Sequence, residues 1–206
     1  PQAKSSFGAA VLGGYLYVYG GHTGTTHTYS TEDVTGRFHR VKVDGGTQWE
    51  QLPGAPALQG VALVAHGGKL YRIGGMQPRN APGTPADTIS LASCACFDPA
   101  TKKWEALTDL PDGRSSHDAV VLGNRIYVVG GWRLGGEGKD RQWHNTSLVL
   151  DLTKKPLKWE AIEPQAGVFS FALARTYSPK GAASKEPAET PGQVRPELGN
   201  GSQGYP

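Results

Sequence analysis

The sequence has 206 residues, 37% of them hydrophobic, so it is long enough for one large domain or two small ones. Its 29 glycines and 15 prolines indicate many short elements joined by tight turns, which favours an all-β fold over a helical one. The net charge is +3 without any long run of like charges, and no apolar stretch is long enough for a transmembrane helix. The composition therefore predicts neither nucleic-acid binding nor a membrane span.

The N-terminus carries no recognisable targeting signal. The sequence begins at Pro1, its single methionine is Met76, and the opening residues PQAKSSFGAAVLGG lack the charged and apolar regions of a secretory signal. We therefore expect that further residues precede Pro1 in the reading frame, and we leave the localisation unknown.

Two landmarks recur along the chain with nearly the same spacing. Pairs of glycines end three similar segments, YLYVYGG, KLYRIGG and RIYVVGG, and these glycines are Gly20, Gly21, Gly74, Gly75, Gly130 and Gly131. Three W-E-x-[LI] motifs follow at intervals of 55 residues, and they begin at Trp49, Trp104 and Trp159. Because two independent landmarks keep one period, the sequence predicts three tandem repeats, over about 5–57, 58–112 and 113–167.

The sequence pattern of each repeat predicts a sheet of four antiparallel strands. The first strand is apolar, lies at 9–12, 61–65 or 119–122, and ends at a two-residue turn. The second alternates around a tyrosine and ends at the glycine pair, which allows a turn or a close backbone approach that a Cβ would block. The third covers 38–44, 93–98 or 147–152 and carries an aspartate suited to a turn. The fourth carries the tryptophan, whose ring we expect to fill the gap between adjacent sheets.

Three recurring features together resemble the kelch repeat over roughly residues 5–165. They are the apolar strand, the motif [YLV]-x-[VI]-G-G and the motif W-E-x-[LI]. The resemblance implies an all-β fold, a partial β-propeller with four-stranded blades. Within the family the chain looks most like bacterial, planctomycete-type members, on the stretches THTYSTEDVTGRFHRV, YRIGGMQPRN and GRSSHDAVVLGNRIYVVGGW. Since kelch propellers usually close a ring with more than three blades, we expect an incomplete propeller.

The C-terminal region does not continue the repeat. Moving the third repeat forward by 55 residues places its glycine pair on Lys185 and Glu186, and only the apolar segment VFSFALA survives as the start of a fourth blade. Bulky apolar residues are sparse after Ser178, so that this segment cannot bury enough surface to offset its ordering entropy. Residues 168–206 are therefore predicted to be a vestigial strand and a disordered Pro/Gly-rich tail.

Long segments follow the three glycine pairs and are the first candidates for a binding surface, because propeller loops gather on the faces around the channel. They cover 22–37, 76–92 and 132–146 and are longer than a hairpin requires. Their polar and aromatic content is typical of a recognition surface, although solvated crossover loops would have the same composition. The candidate ligand-binding residues in these loops are Arg79, Trp132, Arg133, Trp143 and His144.

A second polar cluster, GRSSHD, opens the third repeat. The kelch resemblance implies that polar side chains at this position face the pore and contact ligands, which makes Arg114 and His117 candidates. Arginine can hold a carboxylate through two hydrogen bonds. The alternative is that Arg114 pairs with an acidic group or the backbone of a neighbouring blade.

No motif in the sequence is diagnostic of a metal or cofactor site, and we predict no cofactor. The six histidines lack a metal-ligand spacing, and the separation of His22 and His27 by five residues specifies nothing. Cys94 and Cys96 lie two apart on a predicted strand and are expected to be small buried residues that do not form a disulfide.

The leading functional hypothesis is a noncatalytic module that recognises a protein or a carbohydrate through the propeller-face loops. The alternative is a carbohydrate-active enzyme on a kelch scaffold. An N-acetylneuraminate epimerase-like activity could use Arg114, His117 and Glu32. A galactose oxidase-like copper site would need a cysteine that is free to cross-link a tyrosine near the copper ligands, whereas Cys94 and Cys96 both lie inside a predicted strand. Open faces on the terminal blades also predict self-association.

Overall fold

The computed structural model describes residues 2–24 and 29–162, so the predicted tail at 168–206 lies outside the described residues. Within those ranges the regular structure is all β, and no helix is long and apolar enough to cross a membrane. The strands are β1 (Gly8–Leu12), β2 (Tyr15–Tyr19), β3 (Phe38–Lys42), β4 (Glu50–Leu52), β5 (Ala62–His66), β6 (Lys69–Ile73), β7 (Met76–Pro78), β8 (Thr88–Ser90), β9 (Cys94–Asp98), β10 (Lys103–Leu107), β11 (Asp118–Leu122), β12 (Arg125–Val129), β13 (Trp132–Arg133), β14 (Gln142–Trp143), β15 (Ser147–Asp151) and β16 (Trp159–Ile162).

Three four-stranded antiparallel sheets contain most of these strands, and we call them blades 1, 2 and 3. Their strand orders are β1-β2-β3-β4, β5-β6-β9-β10 and β11-β12-β15-β16. Each blade begins with a hairpin whose tight turn contains residues with positive φ, such as Gly13 and Gly14 at 56° and 75°. The predicted all-β class and the four-stranded blades are confirmed.

The structure corrects the predicted boundaries in two places. The segments 76–92 and 132–146 are not wholly irregular, because β7 pairs with β8 and β13 pairs with β14 to form short ribbons. In blade 1 the third strand ends at Lys42, and a turn that includes Gly45 at φ 69° follows. This longer turn leaves Trp49 just before β4, outside the predicted fourth strand.

Blades 1 and 2 pack through an aromatic cluster. Phe38 of blade 1 meets Phe97 of blade 2 edge to face, with ring centroids 4.9 Å apart. Blades 2 and 3 instead pack through a mainly aliphatic cluster, which contains Ala62, Val64, Ile73, Ile126, Val128, Leu148 and Leu150. The hydrophobic core therefore lies between the blades, where the sheet faces exclude water.

The repeated tryptophans join neighbouring blades at both of these contacts. The indole Nε1 of Trp104 in blade 2 donates a hydrogen bond to the Pro53 carbonyl at 3.0 Å. Trp159 in blade 3 repeats this bond to the Thr108 carbonyl, also at 3.0 Å. In each case the accepting carbonyl lies 51 residues before the tryptophan, in the segment that connects one blade to the next.

A second repeated bond ties the blades together beside their first strands. Ser6, Gly60 and Ser116 occupy equivalent positions and all have positive φ, of 53°, 56° and 51°. The Gly60 amide donates to the Ser6 carbonyl at 2.7 Å, and the Ser116 amide donates to the Gly60 carbonyl at 2.8 Å. Strand β5 lies between β1 and β11, so this series follows the edge along which the three first strands lie side by side.

Candidate functional site

The loops that follow β2, β6 and β12 form one continuous surface, which we call the loop surface (residues 29–35, 76–91 and 132–146). Asn80 connects the first two loops, because its side-chain amide donates to the Tyr29 carbonyl at 2.9 Å and its own carbonyl accepts from the Thr31 amide at 3.0 Å. The second and third loops meet where the Ser90 amide donates to the Leu134 carbonyl at 3.0 Å. The backbone of each loop is thus held by its neighbour.

An ion pair supports the contact between the second and third loops. Arg79 donates two hydrogen bonds to Asp87, at 2.9 and 2.7 Å, and the Glu137 amide donates to the same carboxylate at 3.0 Å. The Arg79 guanidinium holds the pKa of Asp87 below its usual value. Gly136 passes over this pair with φ 101°, and a Cβ there would lie 2.6 Å from the Arg79 Nη2. A glycine is therefore required for the third loop to approach so closely.

Two tryptophans stack on this surface because they are partners in the β13–β14 ribbon. The register pairs Trp132 with Trp143, and their ring centroids are 5.0 Å apart with planes 20° from parallel. Trp143 is 62% exposed. The Arg141 guanidinium carbon lies 5.6 Å from the centroid of the Trp132 ring, within the range of a cation–π contact. The ribbon therefore presents an aromatic platform with a cation beside it.

A cavity of about 380 Å³ opens between the loops next to this platform. It is lined by apolar and positively charged side chains and by backbone, and no carboxylate lines it among the described residues. Two of its lining residues have buried polar atoms without a hydrogen-bond partner in the described chain, the Trp132 indole Nε1 and the Thr88 hydroxyl. The lining includes Tyr29, Met76, Thr88, Trp132, Lys139 and Arg141. Two cationic residues and two residues with buried, unpartnered polar atoms thus line the same cavity.

Sequence comparison identifies the family of the chain. The family model described as Kelch motif matches residues 3–32, 57–111 and 113–146, which is more than half of the chain. The chain belongs to the Kelch motif family. The kelch resemblance of the repeats is thereby confirmed at the level of the family.

Several curated Kelch proteins are similar over most of the chain. Kelch repeat and BTB domain-containing protein 12 of Danio rerio is 29% identical over 140 residues, which are 68% of this chain and 22% of that relative. Human Kelch-like protein 33 is 31% identical over 132 residues, 64% of this chain and 22% of the relative. Human Kelch domain-containing protein 3 is 25% identical over 174 residues, 80% and 42% respectively. The chain thus spans less than half the length of each of these relatives.

In this Kelch protein the candidate Arg114 is enclosed inside blade 3. It is 2% exposed, and its Nη1 donates to the carbonyls of Gly130 and Thr146 at 2.7 and 2.9 Å. Its Nη2 donates to the Thr146 hydroxyl at 3.2 Å. Burial lowers the pKa of the guanidinium to about 10. Oxygens of its own blade therefore bind Nη1 and Nη2, and the Nε is buried without a partner among the described residues, so the side chain is enclosed away from a ligand surface.

The second candidate of that cluster, His117, packs beneath two glycine pairs. A Cβ on Gly74 would lie 2.9 Å from its Cε1, and a Cβ on Gly131 would lie 2.7 Å from its Cβ. It is 5% exposed, and burial, with a smaller effect from the positive charge of Arg114, lowers its pKa to about 3. His117 is therefore neutral at neutral pH and contributes to the packing of blade 2 against blade 3.

The remaining candidates lie at the edge of the loop surface. Arg133 is exposed, and its Nε is 3.5 Å from an Asp112 carboxylate oxygen. His144 is half-buried, its Nε2 lies 2.9 Å from the Gly113 carbonyl, and burial lowers its pKa. Both residues attach the third loop to the chain segment between blades 2 and 3.

Sequence reasoning missed Lys139 and Arg141. A signal was available for Arg141, which precedes Trp143 by two residues and so shares its face of a strand. Sequence reasoning also missed Thr88, which lines the cavity. Three separate loops form that cavity, so the sequence around Thr88 alone does not indicate it.

The described residues contain no group of three His, Cys, Asp or Glu side chains that could hold a metal ion, and His27 lies outside them. Cys94 and Cys96 are free and buried, as predicted, and burial raises the pKa of the Cys94 thiol to about 11. Glu32, the acid considered for an epimerase-like activity, is exposed on the first loop, whereas Arg114 and His117 are enclosed. These three groups therefore do not share an accessible surface.

Proposed function

We propose that this chain is a protein-interaction module whose loop surface binds a segment of a partner protein, with an acidic side chain of that segment in the cavity. The observation that carries the proposal is the cavity between the loops, where two cations and two unpartnered polar groups lie beside an exposed stack of tryptophans. Tryptophan and arginine are the residues most enriched at the energetic centres of protein interfaces.

The acidic character of the ligand follows from the charges around the cavity. Lys139 and Arg141 line it, whereas the nearby Asp87 is already neutralised by Arg79. A ligand carboxylate can accept hydrogen bonds from the Trp132 indole and from the Thr88 hydroxyl, which removes the cost of leaving them buried without partners. The exposed ring of Trp143 offers apolar area to a neighbouring residue of the same segment.

The organisation of the chain is part of the same proposal. Three repeats, at about 5–57, 58–112 and 113–167, supply the described blades, and the sequence pattern supports the proposal that the repeat does not continue from 168 onward, a region outside the described residues. We retain the proposals that the propeller is incomplete and of the bacterial, planctomycete type. Their support is the loss of the glycine pair at 185–186 and the stretches that resemble such proteins.

A selection from a random peptide library tests the binding proposal. The wild-type chain is used as bait, and enriched peptides are measured by fluorescence anisotropy against the wild type and against the double variant Lys139→Gln, Arg141→Gln. We expect enrichment of Asp or Glu next to an apolar residue, and about tenfold weaker binding to the double variant, because two exposed charge contacts together contribute roughly 1.4 kcal/mol. Added salt should weaken binding to the wild type more than to the double variant.

The matched control removes two exposed lysines from the bodies of the blades, with the double variant Lys42→Gln, Lys103→Gln. It changes the net charge by the same amount and should leave the affinity within about twofold of the wild type. Enriched peptides without acidic residues, or equal weakening by both double variants, would contradict the proposal. Binding to a glycan array in place of peptides would instead favour the carbohydrate alternative.

A further inference from the structure

The two cations of the loop-surface cavity come from one short segment of the third loop. Lys139 and Arg141 both line the cavity, whereas Asp140 between them lines only a neighbouring cavity of about 410 Å³, which Lys139 lines as well. This alternation is typical of an extended chain, in which residues two apart share a face and lie about 6.6 Å from each other. The segment 139–141 therefore brings two positive charges to one cavity and the intervening carboxylate to another.

These two cations differ from the other lysine and arginine side chains of the loop surface in lacking a carboxylate partner. Arg79 and Arg133 each lie next to an aspartate, at 2.7 and 3.5 Å. Neither Lys139 nor Arg141 forms an ion pair within the described part of the chain. Both side chains are exposed. The cavity therefore carries two positive charges that are available to a ligand.

Contacts within the third loop hold both cations beside the cavity. The Arg141 guanidinium carbon lies 5.6 Å from the centroid of the Trp132 ring. The Lys139 amide donates to the Gly136 carbonyl at 3.2 Å, and an ideal Cβ on Gly135 would lie 2.8 Å from the Lys139 Cβ. The lysine thus packs closely against a residue that has no side chain. Because one cation is held by a ring and the other by the backbone, less side-chain freedom is lost when an anion binds.

A phosphate monoester matches this pair of cations better than a carboxylate does. It carries a charge of about −1.5 to −2 at neutral pH and three strong acceptor oxygens. Guanidinium binds phosphate through two parallel N–H bonds, and a lysine ammonium binds it as a point charge. A carboxylate has a single negative charge and would neutralise only one of the two cations. The charge of the cavity therefore favours a phosphorylated side chain.

The size of the cavity is consistent with such a group. Its volume of about 380 Å³ lies within the roughly 300–1,000 Å³ of typical ligand cavities. Gly135, Gly136 and Gly138 form part of its wall, so a bulky tetrahedral group meets no side chain there. The cavity can therefore accept a whole phosphorylated side chain.

We infer that the cavity of the loop surface recognises a phosphorylated serine or threonine side chain of the partner segment, with Lys139 and Arg141 as the residues that bind the phosphate. Phosphate recognition presupposes the proposed function, since it requires a protein segment on the loop surface. It also adds a condition, because affinity then depends on the phosphorylation state of the partner. The exposed ring of Trp143 contacts a residue next to the phosphorylated one.

A peptide selection with phosphoserine fixed at the central position tests this inference, with the whole chain as bait. An enriched peptide is synthesised in three forms, with phosphoserine, glutamate or serine at that position, and each form is measured by fluorescence anisotropy. We expect the phosphoserine form to bind at least about fivefold more tightly than the glutamate form, because its additional negative charge engages the second cation. The glutamate form should in turn bind more tightly than the serine form.

The single variant Lys139→Gln tests whether the paired cations cause this preference. It leaves Arg141 as one cation at the cavity, so the phosphoserine form should bind less than about twofold more tightly than the glutamate form. The matched control Lys42→Gln removes an exposed lysine from β3 and should keep the full preference. Circular dichroism verifies that both variants are folded.

Equal affinity for the phosphoserine and glutamate forms would overturn phosphate recognition, and the proposed function would stand if both forms bind more weakly to the double variant Lys139→Gln, Arg141→Gln. Acidic forms that bind no more tightly than the serine form would contradict both. A preference that survives in Lys139→Gln would overturn the assignment of the two cations. Displacement of the phosphoserine peptide by an equal concentration of inorganic phosphate would show that the ligand is a free ion, and would overturn recognition of a protein segment.

Discussion

The blade interior and the loop surface both contain tryptophan and arginine, but the two regions use these residues differently. In the interior, Trp159 donates to the Thr108 carbonyl and Arg114 donates to backbone oxygens of its own blade. On the loop surface, the Trp132 indole nitrogen has no hydrogen-bond partner among the described residues, and Arg141 lies over its ring. The comparison shows that residue type does not separate the blade interior from the loop surface. The two regions differ in exposure, since Arg114 is 2% and Trp159 5% exposed, whereas Arg141 and Trp143 are exposed.

The largest expected difference between the two regions concerns arginine. The substitution Arg114→Met removes three hydrogen bonds and leaves two buried carbonyls without a donor, so we expect a loss of about 3 kcal/mol in the free energy of unfolding. The same substitution at Arg141 should cost less than about 0.5 kcal/mol, because that side chain is exposed. Urea unfolding followed by circular dichroism measures both. Similar losses in the two variants would remove the distinction between the regions.

Acid should lower the stability of the folded chain, chiefly through His117 in the blade interior. The pKa of His117 is lowered by burial from 6.5 to about 3, so the unfolded chain binds a proton in that interval and the folded chain does not. The contribution of His117 to the free energy of unfolding is complete above pH 6.5 and is lost as the pH falls toward 3. A change from pH 7 to pH 5 should therefore lower the free energy of unfolding by about 2 kcal/mol. Burial also lowers the pKa of His144 and of His39, which adds to the effect in the same direction.

Urea unfolding at pH 7 and pH 5 measures this dependence. The variant His117→Gln is neutral in both states, so its stability should change less between the two pH values than that of the wild type. An unchanged pH dependence in this variant would show that His117 does not titrate as its burial requires.

The smallest effect is expected for the tryptophans. Trp159→Phe keeps an aromatic ring between the blades but leaves the Thr108 carbonyl without its donor, which should cost about 1 to 2 kcal/mol. Trp143→Phe changes an exposed ring of the loop surface and should cost less than about 0.5 kcal/mol. Thermal unfolding measures both variants, and a larger loss for Trp143→Phe would reverse the assignment of the two regions.

The fold could be predicted from the sequence because its determinants are repeated. The glycine pairs and tryptophans occur three times, so that the pattern at Gly74 and Trp104 supports the interpretation of the other two repeats. Strand ends next to short turns were accurate to about one residue, as for β11. Trp49 was misplaced because the turn before β4 is longer than a simple hairpin.

The candidate site could be predicted only in part, since three separated loops build it. The sequence indicated the loop at 132–146 and its tryptophans, but not that Trp132 and Trp143 are register partners. It also proposed Arg114 for ligand binding, because a conspicuous arginine in a polar cluster has the same appearance whether solvent or backbone carbonyls surround it. Only the tertiary structure distinguishes Arg114 from Arg141.

The five tryptophan indole N–H signals in a ¹H–¹⁵N NMR spectrum test the central claim, that the loop surface binds an acidic segment, most directly. An acidic peptide from the selection is titrated into the ¹⁵N-labelled chain at a concentration where its state of association is constant. We predict that the Trp132 signal moves downfield as its N–H gains a carboxylate partner and that the Trp143 signal moves as its stack is covered. The signals of Trp104 and Trp159, which are already bonded to carbonyls, should stay in place. Shifts confined to Trp49, Trp104 or Trp159, with Trp132 unchanged, would contradict the account.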